Sequence, residues 1–297
     1  MAVNTPSTPS SRATHLAAFV MGPKRHKHRY GNISRVAPLV LGLIIIVVAW
    51  QVVTKAAHAP AYIYPAPTDV ILSIQAQPEL LWSSILITLQ SAIIGLLAAI
   101  VAGVIVAIIL AFSPILERAF FPYAVVLQTT PIIATAPLVV IWFGPDIQSI
   151  YVIVFLMCFF PMLSGTLQGL NSVDADLRSL FHIYDASLVQ TMFKLRLPNA
   201  IPYILSGLRV ASGLSVVGAI VGEYVAGVGG AQGGLGYLLS VAASQLNTPY
   251  LVAAALSGAA MGLIFFGIVS LVGRALVSWH DPGAHTAVKG DSGLLGG

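Results

Sequence analysis

The 297-residue sequence predicts an all-α integral membrane protein with six transmembrane helices, on three observations. Hydrophobic residues make up 57% of the chain and charged residues 8%, where a soluble domain carries about 25% charged residues. Apolar runs approaching or exceeding the roughly 20 residues that cross a hydrocarbon layer recur along most of its length. The basic residues gather on one side of those runs, as expected when short cytoplasmic loops retain Lys and Arg.

Residues 1–35 are rich in Ser, Thr and Pro and hold the cluster Lys24-Arg25-His26-Lys27-His28-Arg29. Such a segment is predicted to be a disordered cytoplasmic tail. Its juxtamembrane cluster fixes topology and touches anionic membrane lipid, with no nucleic-acid role. The apolar stretch that follows begins too late for a cleaved signal peptide. The predicted spans are 36–53, 80–112, 119–143, 148–170, 200–226 and 251–276. The charge-free run 80–112 exceeds one straight crossing, which places its first residues in the outer interface. Residues 36–278 thus form one membrane domain, and 279–297 a second cytoplasmic tail.

Six crossings put Arg12, Lys24, Arg25, Lys27, Arg29, Arg35, Arg118, Arg178, Lys194, Arg196, Arg209, Arg274 and Lys289 inside and Lys55 outside, out of 14 basic residues. A wrong span count would scramble that bias. The expectation is a multi-pass protein of a plasma membrane, the bacterial inner membrane, with both termini cytoplasmic.

Several chemistries lack their residues. A phosphate-cradling G-x-x-x-x-G-K-[ST] loop is missing from the sequence. The Gly-rich segment 227–236 follows a span rather than a strand and reads as an extracytoplasmic turn. The lone Cys158 permits neither an intrachain disulfide nor a thiolate metal site and reads as a small packing residue. Catalysis or metal binding inside a membrane needs converging polar groups, and only Glu223 lies clearly within a span, so no catalytic residue and no metal site is expected. Glu223 has two readings: it lines a pathway, or it sits at the outer end of its span and meets interfacial water. Gln90, Gln128, Thr129 and Thr130 are weaker pathway candidates, and Arg209 can snorkel to the inner interface.

The inner loop 171–202 is too long for a simple connection. Asp174 and Asp176 suit a helix start, and Leu177, Leu180, Phe181 and Tyr184 follow at helical spacing. Pro198 and Pro202 are expected to end one helix and open the next. The segment reads as a short amphipathic helix lying under the membrane.

In this loop Tyr184-Asp185-Ala186-Ser187, then Gln190, Phe193, Lys194, Leu195, Leu197 and Pro198, resemble the coupling motif of the permease subunits of ATP-binding cassette importers with the type I fold. The resemblance runs from about Tyr64 to Gly273 and is closest to the nitrate, sulfonate and taurine branch. It includes Pro65-Ala66-Pro67-Thr68-Asp69-Val70, Pro131, Ala136-Pro137-Leu138, Trp142-Phe143-Gly144, Phe159-Phe160-Pro161, Gly222-Glu223 and Gly234-Leu235-Gly236-Tyr237. Two departures stand out. Ser179, Leu180 and Phe181 replace the motif's Glu-Ala-Ala, and Asp185 stands where the motif has Gly. Asp185 either keeps the left-handed turn, which Asp tolerates better than most residues, or caps a helix over residues 186–195.

The resemblance implies a type I permease fold whose cytoplasmic coupling helix, with Tyr184, Asp185, Ala186, Ser187, Leu197 and Pro198, docks on a separate ATP-binding subunit. It implies a second permease chain, identical or different, and an extracytoplasmic substrate-binding protein touching residues 65–80 and 227–247. ATP and Mg²⁺ would be bound by the partner ATPase, and no cofactor by this chain. The implied cargo is nitrate, a sulfonate, taurine or a related organic anion, carried past Glu223, Gln90, Thr129 and Thr130. Related members carry vitamin precursors, pyrimidines or aromatic acids. The rival readings are an ion-driven secondary transporter, which needs internal repeats and several intramembrane ion ligands, and a non-transporting membrane scaffold.

Overall fold

The structure is a computed structural model that describes residues 32–57, 60–227 and 233–277; all regular structure among them is helical. The basic cluster, Arg12, Lys289, residues 1–31 of the predicted N-terminal tail and the predicted C-terminal tail lie outside the described residues, whereas residues 32–35, expected to be disordered, are helical. The chain divides into two units, Met1–Val52 and Val53–Gly297. Helix α1 (Asn32–Ala56) carries the described part of the first.

The second unit runs α2 (Pro67–Ala76), α3 (Pro78–Ala111), α4 (Pro114–Thr129), α5 (Ile132–Phe143), α6 (Ile147–Asn171), α7 (Ala175–Ile183), α8 (Leu188–Thr191), α9 (Leu197–Ala226), α10 (Leu235–Ser244) and α11 (Thr248–Val277). Among the described residues four helices are long and apolar enough to cross a membrane: α3, α6, the run Leu188–Ala226, and α11. The pair α4 and α5 makes a fifth if it counts as one span, and the apolar part of α1, Val40–Ala56, is shorter. At 1.5 Å per residue α3 is about 51 Å long, well beyond one perpendicular crossing.

Two expectations are corrected. The span predicted over 119–143 is broken: α4 and α5 meet at 99°. Pro131 has no N–H to continue the ladder and forces the residue before it out of the helical region. Thr130 is accordingly extended, with φ −70° and ψ 124°. Pro198 and Pro202, expected to separate two helices, instead lie within one continuous helical run, Leu188–Ala226. The five-residue π-helical stretch Met192–Arg196 shifts the hydrogen-bond register just before Pro198, whose missing donor would otherwise interrupt it.

Helix α6 is the centre of the bundle and packs most extensively against α9 and α3. Lipid removes the hydrophobic drive for helix association, so membrane helices associate through small residues that let backbones approach closely. A side chain on Gly207 would stand 2.6 Å from the Pro161 carbonyl, and one on Gly169 2.8 Å from the Ala200 backbone. Gly103 of α3 meets the Met162 side chain in the same way. Ile153, Val154, Met162, Leu163 and Leu170 fill the enclosed face of α6. Cys158 is buried among them, its thiol directed at the Ala211 carbonyl at 3.3 Å.

Candidate functional site

The loop over residues 171–202 forms a compact two-helix turn. Asp174 starts α7 by accepting from the Asp176 amide at 3.0 Å. The helix ends in two reciprocal bonds, Ala186 N–H to the Phe181 carbonyl and Asp185 N–H to the His182 carbonyl, each 3.0 Å. That pattern requires a left-handed residue between them, and Asp185 supplies it with φ +50°. Asp185 therefore does not cap the next helix. Ser187 does: its hydroxyl accepts from the Gln190 amide at 3.2 Å while Gln190 Oε1 accepts from the Ser187 amide at 2.9 Å. The helix expected over residues 186–195 begins at Leu188 accordingly.

The outcome is an apolar surface held at a fixed angle. Ile183 is 76% exposed, Tyr184 78% and Leu188 75%. Beside them Leu180, Phe181, Tyr184, Ala186, Gln190 and Lys194 line a shallow pocket of about 410 Å³. Of the predicted coupling residues, Tyr184, Asp185, Ala186 and Ser187 stand together on this turn, whereas Leu197 packs against the bundle core and Pro198 lies one residue on, on α9.

Arg196 ties this turn to the bundle. Its guanidinium donates to the Ala111 carbonyl at 2.7 Å, the Leu170 carbonyl at 2.9 Å and Asn171 Oδ1 at 2.6 Å. It thereby satisfies carbonyls at the C-terminal ends of α3 and α6, where the helix dipole favours a cation. Asn171 also donates to both carboxylate oxygens of Glu117 at 3.0 and 3.1 Å and accepts through its carbonyl from Arg178 of α7 at 2.7 Å. Sequence reading assigned Arg196 only to the inner side. Nothing in its local pattern separates it from Lys194; a planar five-donor head beside a Leu-Pro step was the one available hint.

The break between α4 and α5 opens a groove of about 590 Å³. Gln128, Thr129, Thr130 and Thr135 give it polar groups, and Trp142, Phe159 and Phe160 give it aromatic walls. The Thr129 and Thr130 hydroxyls donate back to the Val126 carbonyl at 3.0 and 2.8 Å, covering the end of α4. Gln90 is exposed on α3 and does not line this groove.

Glu223, expected to line a pathway or meet interfacial water, is enclosed within this chain. It is 1% exposed. Its Oε2 accepts from the Thr88 hydroxyl at 2.8 Å and the Gly236 amide at 2.9 Å, while Thr88 accepts from the Leu235 amide at 2.8 Å. The carboxyl group thus joins α3 and α9 to the N-terminus of α10, whose unpaired amides favour an acidic group. Gly234 and Gly236 permit the approach, since a Cβ on the first would meet the carboxyl group and one on the second the Ile220 carbonyl.

The segments expected to meet a binding protein lie side by side. Gln77, Leu80, Gly233, Tyr237, Gln245, Asn247 and Tyr250 border a common cavity of about 320 Å³. Tyr250 donates to the Gln77 carbonyl at 3.3 Å, and Ser84 to that of Gly233 at 2.8 Å. Residues 228–232 of the Gly-rich turn lie outside the described residues.

A bundle of long apolar helices, closely packed through glycine and breached by a mainly apolar groove that carries a few hydroxyl and amide groups, is the architecture of a multi-pass membrane protein. The chain belongs to the binding-protein-dependent transport system inner membrane component family, which matches residues 99–285. It is similar to a probable ABC transporter permease protein of Haemophilus influenzae, 33% identical over 81% of this chain and 96% of that one. It is similar to the formylaminopyrimidine transport permease of Halalkalibacterium halodurans, 31% identical over 81% and 94%. The taurine transport system permease of Escherichia coli is 29% identical over 86% and 94%. Further relatives are permeases named for aliphatic sulfonates and nitrate, which supports the type I importer class and the branch that the motifs indicated.

Proposed function

We propose that this chain forms the translocation pathway of an importer for a small solute. It would work with a second permease chain, a separate ATP-binding subunit that holds ATP and Mg²⁺, and an extracytoplasmic binding protein. The observation that carries this reading is the exposed apolar turn from α7 to α8, anchored through Arg196 and Asn171 to the ends of α3 and α6. A partner that closes and opens beneath it has a rigid lever rather than a loose loop to push. Ligand binding in that partner can bias a discrete two-state element for which its states have different affinity.

Two solute classes are in view. The branch resemblance favours a small organic or inorganic anion. The groove at the α4–α5 break favours a second class: among the described residues no cationic side chain lines it, while aromatic walls and hydroxyl and amide groups do. That lining suits an uncharged planar heterocycle, the kind of solute named for the formylaminopyrimidine relative.

The test is uptake into vesicles reconstituted with the chain, its ATPase and its binding protein. ATP-dependent uptake abolished by an inactive ATPase is expected, and uptake indifferent to ATP would favour an ion-driven carrier. Screening the binding protein by thermal shift against sulfonates, nitrate and pyrimidines separates the two solute classes, because a bound ligand raises apparent stability by mass action.

A further inference from the structure

Between α9 and α11 lies an open pocket of about 300 Å³ lined by Pro202, Leu205, Arg209, Gly273 and Arg274. Two guanidinium-bearing side chains share it, and no acidic residue lines it among the described residues. The Arg209 head lies over Gly273: a Cβ there would be 3.5 Å from Arg209 Nη2. The Nε of Arg209 is buried yet has no hydrogen-bond partner among the described residues. A desolvated donor without an acceptor is unfavourable, and two like charges at one pocket repel. One shared anion relieves both.

The walls narrow the kind of anion. Arginine forks match the oxygens of a phosphate, while Pro202 and Leu205 offer apolar surface to whatever the phosphate carries. A phosphate ester bearing hydrocarbon satisfies both halves, and a bare ion only one. The basic-residue asymmetry places both arginines toward the cytoplasmic leaflet, where basic pockets between helices meet anionic headgroups. We propose that Arg209 and Arg274 hold the phosphate of an anionic phospholipid between α9 and α11.

Native mass spectrometry of the full-length chain in mild detergent tests this, with phosphatidylglycerol, phosphatidylcholine or inorganic phosphate added separately. The first equivalent of phosphatidylglycerol is expected to be retained, roughly fivefold more weakly in Arg274→Gln and more weakly again in the variant that also carries Arg209→Gln. Phosphatidylcholine and inorganic phosphate are expected not to be retained. Equal retention of phosphatidylglycerol by wild type and Arg274→Gln overturns the proposal, as does equally strong retention of phosphatidylcholine. Displacement of the lipid by inorganic phosphate overturns the lipid assignment. Arg274 is exposed, so its variant carries the test even if Arg209→Gln does not fold. Asp281 and Asp291 follow in the sequence; stronger lipid retention after Asp281→Asn and Asp291→Asn would assign the pocket to the chain's own acids and overturn the proposal.

Discussion

Asp185 has left-handed backbone at a point where glycine would carry no steric cost. Asp185→Gly is expected to stabilise the turn by about 0.5–1 kcal/mol and Asp185→Val to destabilise it by at least as much. Hydrogen exchange of the Ala186 amide, which bonds to Phe181 across the turn, reads both changes. Asp185→Asn separates geometry from charge, because Asn tolerates the same backbone. If the ATPase supplies a basic partner, this variant keeps the turn yet weakens the complex most at low salt. Glu223 is the other residue whose chemistry is local. Glu223→Ala leaves the buried Gly236 amide without its acceptor and the Thr88 hydroxyl with only the Ser84 carbonyl, a loss of about 1–3 kcal/mol. Glu223→Gln retains one acceptor and is expected to lose less, so the thermal midpoint in detergent should fall in the order wild type, Gln, Ala.

Among the elements, the turn between α7 and α8 makes the sharpest functional prediction. Tyr184 and Leu188 are mostly exposed among the described residues, so a partner covering them would bury large apolar anchors of the kind that dominate the energy of an interface. Replacing both with Ala is expected to reduce co-purification of the ATPase more than tenfold while leaving the thermal midpoint of the chain nearly unchanged. Loss of both together would mean that the side chains support the fold instead. The start of α7 and the apolar spacing of Leu177, Leu180 and Phe181 were legible in the sequence because caps and periodicity are local. The continuity of α8 into α9 was not, since two prolines ordinarily end a soluble helix, whereas a π-helical stretch and a membrane context tolerate them. The break at Pro131 was visible as a residue but not as an event. Pro38, Pro122, Pro137 and Pro161 all sit inside helices, and only the fold shows which proline turns the chain.

At the scale of the whole molecule, the bundle depends on close backbone approach. Gly207→Ala places a methyl group 2.6 Å from a backbone carbonyl of α6 that has no flexible end to yield. A loss of about 1–3 kcal/mol is expected, read as earlier thermal aggregation. Composition and charge asymmetry marked the chain as a membrane bundle, but which face of each helix meets which neighbour is long-range information. Glu223 illustrates the difference: an acid in an apolar stretch reads as a pathway group, and its enclosure depends on Gly236 of α10 and on Thr88, 135 residues earlier in the chain.

The bridge made by Arg196 also has a meaning in time. It reaches the end of α3 across 85 residues of sequence. At about 5–20 residues per second of synthesis, that carbonyl waits roughly 4–17 s for its donor to leave the ribosome. Until then the ends of α3 and α6 at Ala111 and Leu170 lack this tie. Chains truncated before residue 196 are therefore expected to be cleaved near Ala111 and Asn171 more readily than the full-length chain, which limited proteolysis reads.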